Sequence, residues 1–140
     1  MSDMEQALKK LGALREKAML GGGRERIKKL KEKGYLTCDE RIALLATPGT
    51  FVEWFTFAGP QPAEFGPDPP YIPRDGVVTG FADVNGRVVG VYAHDKTVQG
   101  GSLGNVQAAK IAQLIRKCCE LKVPLVALQD SVGARIQEGN

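Results

Sequence analysis

The sequence predicts an α/β fold, and three stretches carry the prediction. Residues 76–95 hold two β-rich segments joined by Asn85-Gly86, residues 105–121 follow a helical period, and residues 124–128, PLVAL, form a short apolar run. Strand, strand, helix, strand in that order makes one α/β layer. The apolar run ends in Asp130-Ser131, then a glycine turn, Val132-Gly133-Ala134, then a polar segment at 135–138 that could open a helix. A strand that feeds a helix through a tight turn leaves the first N–H groups without intrahelical partners. Those donors and the positive helix end favour an anionic or polarised oxygen. Residues 131–134 are therefore expected to form a small oxyanion-binding nest.

Composition sets the outer limits. With 140 residues, 43% hydrophobic and 25% charged, the chain has the make-up of a soluble globular protein of one domain, or a piece of a larger one. No apolar run approaches the roughly 20 residues of a membrane-spanning helix, and the N-terminus lacks a continuous signal-peptide core. Residence in the cytoplasm is expected. The net charge of +3 is uneven: residues 1–41 hold 11 of the 19 Lys and Arg against 7 of the 16 acids. Nucleic-acid binding would want a denser basic patch with interleaved aromatics, so this excess reads as a solvated helix face. Cys38, Cys118 and Cys119 contain no C-x-x-C, so no metal set or disulfide framework is expected, only buried or half-buried thiols.

In chain order, Met4, Leu8, Leu11, Leu14 and Ala18 recur at helical spacing, giving an amphipathic helix over 4–20 that Gly21-Gly22-Gly23 stops. A basic helix over 24–33 follows, with Ile27 and Leu30 on its apolar side and Gly34 beyond it. Thr37-Cys38-Asp39-Glu40 is a capping box that opens a third helix to about residue 46, packed by Ile42, Leu44 and Leu45. The aromatic, β-branched stretch 50–57 predicts a strand. Residues 59–73 contain six of the eight prolines, which marks a connector between an N-terminal helical extension, 1–58, and a core, 74–140. In that core Asn85-Gly86 supplies the positive φ angles of a type I′ turn, and Gly80 and Gly90 suggest bulges or a close neighbouring backbone. The glycine loop 97–104 leads into the helix at 105–121, with Val106, Ala109, Ile111, Leu114, Ile115 and Cys118 near one face.

Two catalytic patterns fail on chemistry. Gly100-Gly101-Ser102-Leu103-Gly104 matches the hydrolase elbow G-x-S-x-G between strand and helix. The only histidine, His94, precedes Ser102, whereas the hydrolase order places it afterwards. A loop whose bare backbone lets a ligand approach is the better reading. His94 has no second ligand at metal spacing and is expected to be structural or solvent-facing, and Ser131 lacks a base.

Three blocks in one order nevertheless resemble a known family. Gly21-Gly22-Gly23 with Arg26-Ile27, then Gly34-Tyr35-Leu36-Thr37 and Glu40-Arg41-Ile42, resembles the N-terminal signature of biotin-dependent carboxyltransferases. Gly76-Val77-Val78-Thr79-Gly80, Asn85-Gly86-Arg87, Asp95, Thr97-Val98 and Gly100-Gly101-Ser102-Leu103 resemble the acyl-CoA side of those enzymes, and Asp130-Ser131 with residues 133–139, GARIQEG, their most recognisable turn. The relatives implied are the propionyl-CoA and acyl-CoA carboxylase β subunits and the glutaconyl- and methylmalonyl-CoA decarboxylase α subunits.

The resemblance implies a crotonase-like fold of spiralling ββα units, incomplete here, and a homo-oligomer, a hexamer in the family. It implies carboxyl transfer between carboxybiotin, borne on a carrier protein or domain, and the α-carbon of an acyl-CoA, through an enolate held by backbone amides. The paired family glycines fall on Val132 and Gly133, so these two amides are the expected catalytic donors. Gly100, Gly101, Ser102 and Ala134 are the expected substrate-binding residues. Valine at the first position keeps an N–H but resists positive φ, and its side chain is expected to crowd the acyl pocket. The four-cysteine ribbon of the zinc-containing branch is missing, which favours the acyl-CoA carboxylase and decarboxylase branch. Family subunits are several times longer, so an N-terminal fragment, inactive in isolation, is expected. The rival readings are a non-catalytic assembly piece and a crotonase-type hydratase or isomerase.

Overall fold

A computed structural model describes residues 2–62 and 67–138. Among them runs a sheet of four strands in the order β1 (Val52–Trp54), β2 (Val77–Val84), β3 (Arg87–His94) and β4 (Leu125–Leu128). The first two pairings are antiparallel, whereas β3 and β4 run parallel with Gly90 opposite Leu125 and Ala93 opposite Leu128. A parallel neighbour needs a crossover, and helix α4 (Asn105–Leu121) supplies it. At the hairpin, Asn85 (φ +52°) and Gly86 (φ +79°) take the left-handed conformations that a type I′ turn requires. Pairing is unbroken from Val77–His94 to Val84–Arg87, so Gly80 and Gly90 are not bulges. They mark close neighbours instead: a methyl on Gly80 would run into the Phe51 ring, and one on Gly90 into Cys118 Sγ.

Alternation along the strands sends side chains to two faces. On one face Val78, Ala82, Val89, Val91 and Ala93 pack with Cys38, Ile42 and Ala46, from helix α3 (Cys38–Leu45) and its end. On the other, Val77 and Tyr92 pack with Leu114 and Cys118 of α4. The sheet and its first cluster therefore cross the expected boundary at 59–73, because β1 pairs with β2 and α3 covers the same strands. Of that connector, residues 63–66 lie outside the described residues.

The N-terminal helices form as their caps dictate. Ser2 and Glu5 close a capping box on α1 (Asp3–Leu20), and Thr37 and Glu40 close another on α3. Helix α1 buries only Ala18, and helix α2 (Arg24–Glu32) only Leu30. Four expectations need correction. Leu44 is 77% exposed, since α3 turns only the Cys38–Ile42–Leu45 side to the sheet. The strand expected over 50–57 is cut to three residues because Phe55 takes φ +59° and swings the chain out of the sheet. Segment 136–138 is a short 3₁₀ turn, not an α-helix. Finally, Cys119 is exposed.

The buried stripe of α4 also differs from the expected one: Gln107, Lys110, Leu114 and Cys118 are inside, while Ala109 and Ile115 face out. The cause is the kinked turn Pro73–Gly76, whose Arg74 and Asp75 both have positive φ. It leaves carbonyls under α4, and Gln107 Nε2 donates to Gly76 O (3.0 Å) while Lys110 Nζ donates to Arg74 O (2.9 Å) and Val77 O. Burial pulls the Lys110 ammonium down to about 8. Arg74 itself is buried and ion-paired with Asp39 (2.9 Å) and Glu53 (2.8 Å), tying the connector to α3 and β1. No described helix is long and apolar enough to cross a membrane.

Candidate functional site

Because β3 and β4 are parallel neighbours, their C-terminal ends lie side by side and the loops leaving them meet. The loop after β3 is the turn Gln99–Gly101, with Gln99, Gly100 and Gly101 all at positive φ. The loop after β4 is the 130–135 turn. Val132 N–H donates to Gly100 O (3.3 Å), Leu103 N–H to Gly133 O (2.8 Å) and Arg135 N–H to Leu103 O (2.8 Å). A methyl on Gly101 would strike the Asp130 carbonyl, so glycine is what lets the two backbones touch. The structure thus brings together the residues expected to bind substrate, Gly100, Gly101, Ser102 and Ala134, with the turn of Val132 and Gly133.

Buried charge fixes this junction. Arg135, 5% exposed, donates to Asp75 Oδ1 (2.7 Å), Ser102 O (3.2 Å) and Glu138. Burial works against its charge, and the Asp75 and Glu138 carboxylates more than offset that, so the guanidinium holds its proton more tightly than usual. His94 is structural, as one of its expected alternatives had it. Its Nδ1 accepts Asp130 N–H (3.3 Å) at the root of the turn. Ser102 is buried.

The N-terminal motifs hold the other side. Gly22 N–H donates to Thr97 Oγ1 (3.0 Å), Arg26 donates to Thr97 O (3.1 Å), and Thr97 is itself bound through N and Oγ1 to Asp95 Oδ1 (2.9 and 2.6 Å). Arg41 donates to the carbonyls of His94 and Leu128, the last residues of β3 and β4. The glycine run and the Glu40-Arg41-Ile42 block therefore act as clamps on the strand ends that carry the site.

Between α2 and the glycine loop opens a cleft of about 560 Å³, lined among others by Arg26, Lys29, Lys33, Tyr35, Lys96 and Gly100. Part of the charge of the basic helix rims this cleft while staying exposed, the Lys29 side chain by 70%, as a solvated face requires. Lys96 pairs with Asp130 (2.9 Å) and lies 5.2 Å from the Tyr35 ring centre. The Asp130 carboxylate beside it holds its ammonium above the usual lysine range. Cations on one wall and bare backbone on the other suit a ligand with an anionic end and a slender, uncharged end. Sequence reasoning missed Lys29, Lys33, Tyr35 and Lys96. For Lys29 and Lys33 the excess of charge in the first 41 residues was the available signal.

The expected nest needs correction too. Neither amide stands free: Val132 N–H is spent on Gly100 O, and Gly133 N–H on Ser131 Oγ (3.2 Å). Positive φ falls on Gly133 (+115°) and not on Val132, so the backbone strain expected of valine does not arise.

Comparison with known proteins agrees with this architecture. Residues 29–140 match the family model of the carboxyl transferase domain. The chain is 46% identical over 136 residues to the propionyl-CoA carboxylase carboxyltransferase subunit of Haloferax mediterranei, covering 97% of this chain and 26% of that protein. It is 38% identical over 138 residues to the methylmalonyl-CoA decarboxylase α subunit of Veillonella parvula, covering 99% of this chain and 27% of the relative. Among solved structures, transcarboxylase 12S, a hexamer with methylmalonyl-CoA bound, superposes with a TM-score of 0.93 at 37% identity, covering 99% of this chain and 27% of that one. The chain spans about a quarter of the length of the relatives it matches. The fold is the crotonase-like one of these carboxyltransferases. On sequence and fold together, the chain belongs to the carboxyl transferase domain family.

Proposed function

We propose that this chain forms the acyl-CoA side of a biotin-dependent carboxyltransferase of the cytoplasm, moving a carboxyl group between carboxybiotin and the α-carbon of an acyl-CoA thioester. The observation that carries the reading is continuity: the cation-lined cleft reaches Gly100, and Gly100 touches the 131–134 turn. The phosphates of coenzyme A meet Arg26, Lys29, Lys33 and Lys96, and the pantetheine arm passes the bare backbone of Gly100 and Gly101 beside Ser102 and Ala134. The thioester then arrives at the turn.

As the α-carbon loses its substituent, negative charge gathers on the thioester oxygen. A fixed donor there stabilises the transition state, and losing one such donor typically costs about 3 kcal/mol. Gly133 N–H is the first donor, since its present partner, Ser131 Oγ at 3.2 Å, is a hydroxyl that can rotate away. Val132 N–H is the second, exchanging its long bond to Gly100 O. The carboxyl group comes from biotin on a carrier protein or domain, and no residue of this chain is assigned to it. The hexamer with bound methylmalonyl-CoA seen for transcarboxylase 12S supports an oligomer and an acyl-CoA substrate.

The test is calorimetric titration of coenzyme A into the full-length protein. Affinity is expected to fall with ionic strength and, by about tenfold or more, in the double variant Lys29→Ala/Lys33→Ala. Binding indifferent to both would refute the cleft. For the donor, Gly133→Pro deletes the amide along with the φ of +115° that proline cannot adopt, and should lower carboxyl transfer by about a hundredfold or more. Unchanged transfer would remove Gly133 from the mechanism.

A further inference from the structure

We infer that Tyr35 is the surface on which the cleft receives a flat base, so that this site is built for the nucleotide end of its ligand, an aromatic ring carrying phosphates. The inference deepens the acyl-CoA reading above and rests on it, since coenzyme A ends in adenine with phosphates on its ribose. Tyr35 lines the cleft just beyond α2, where its N–H donates to Leu30 O (3.2 Å) after the turn at Gly34 (φ +79°). The backbone is thereby fixed while the side chain stays out of the core. The residue is 53% exposed and belongs to neither apolar cluster. Among the described residues its hydroxyl has no hydrogen-bond partner.

What surrounds the ring gives it a use. Lys96 Nζ stands over it, 5.2 Å from its centre, and is itself held by Asp130 (2.9 Å), so an anchored cation backs the ring. With more than half of the residue exposed, surface is left for a second flat ring to cover. Four cations and no carboxylate line the cleft. Among the described residues Arg26 and Lys33 form no ion pair, and Lys29 forms only a long one of 4.0 Å to Glu25. Lys28 and Lys31, on the same helix but outside the lining, are paired with Glu32 and Glu40. Phosphates are held by cations whose charge is not already spent, and a base stacks on an aromatic face. Both halves of nucleotide recognition therefore meet in one cleft.

The experiment measures dissociation constants of adenosine 3′,5′-bisphosphate, pyrophosphate and coenzyme A for the full-length protein and for Tyr35→Phe and Tyr35→Leu. Removing an aromatic partner weakens the hold on a stacked base by about tenfold. Tyr35→Leu should lose that factor for the bisphosphate and for coenzyme A, yet stay within about twofold for pyrophosphate, which carries no base. Tyr35→Phe, which keeps the ring, should bind all three as the wild-type protein does. Bisphosphate affinity unchanged in Tyr35→Leu, pyrophosphate weakened as much as the bisphosphate, or a bisphosphate that does not bind at all overturns the inference. Coenzyme A still bound by the wild-type protein in those cases leaves the acyl-CoA reading standing. Absence of coenzyme A binding to the wild-type protein overturns both.

Discussion

Replacing Gly22 by alanine should loosen the N-terminal helices from the site, and the cost can be worked from contacts. Gly22 has no positive φ, so an added methyl acts through space alone. That methyl would stand 2.5 Å from the carbonyl carbon of Thr97 and closer still to its oxygen, where ordinary contact begins at 3.4 Å. The turn must withdraw by roughly 1 Å. An ångström added to the Gly22–Thr97 Oγ1 bond (3.0 Å) and the Arg26–Thr97 O bond (3.1 Å) breaks both. The neutral bond contributes about 1 kcal/mol and the charged one, partly exposed, about 1.5, so a loss of about 2–3 kcal/mol follows. The control is Gly12→Ala within α1, where a methyl would meet nothing within 4 Å. There the same substitution should stabilise by about 0.5–1 kcal/mol through helix propensity. Urea unfolding followed by circular dichroism measures both. Coenzyme A affinity should fall in Gly22→Ala alone, since Arg26 lines the cleft. A Gly22→Ala protein with a wild-type urea midpoint would refute the clamp and the reason given for the glycine.

Two further predictions concern the junction of the loops. Arg135→Ala strands the Asp75 carboxylate, whose side chain is 2% exposed, and should cost about 3–5 kcal/mol in thermal unfolding, with Asp75→Asn/Arg135→Met recovering part of it. A cost under about 1 kcal/mol would show that the pair does not hold the turn. His94 is held below its ordinary value of 6.5, by burial first and by Arg41 second, with Asp130 pulling the other way. The unfolded chain therefore takes up a proton near pH 6.5 that the folded chain refuses, and stability should fall as pH drops from there to the lower folded value, and stay level above 6.5. Protonation also removes the Nδ1 acceptor of Asp130 N–H. His94→Asn, whose Oδ1 can replace Nδ1, should flatten that fall between pH 7.5 and 5.5; an equal slope in both proteins would rule His94 out.

Sequence alone determined what depends on neighbours within a few residues. The capping box at Thr37, the Asn85-Gly86 hairpin and the span of α4 all formed where side chain and backbone dictated, because each rests on contacts within a few positions. The two loops of the site were also legible as motifs, for glycine runs after strands announce close backbone approach. What those backbones approach was decided only by tertiary structure. Gly22 meets Thr97 from 75 positions away, and Lys110 and Gln107 are drawn inside by carbonyls of a turn more than 30 positions earlier. Facing of the basic helix to Gly100, and the spending of the Val132 amide on Gly100 O, belong to the same class, whereas the Gly133 amide meets its Ser131 partner two positions away. Periodicity reports which face of an element is apolar, but a polar group is buried when a distant partner satisfies it, and no local pattern encodes that partner.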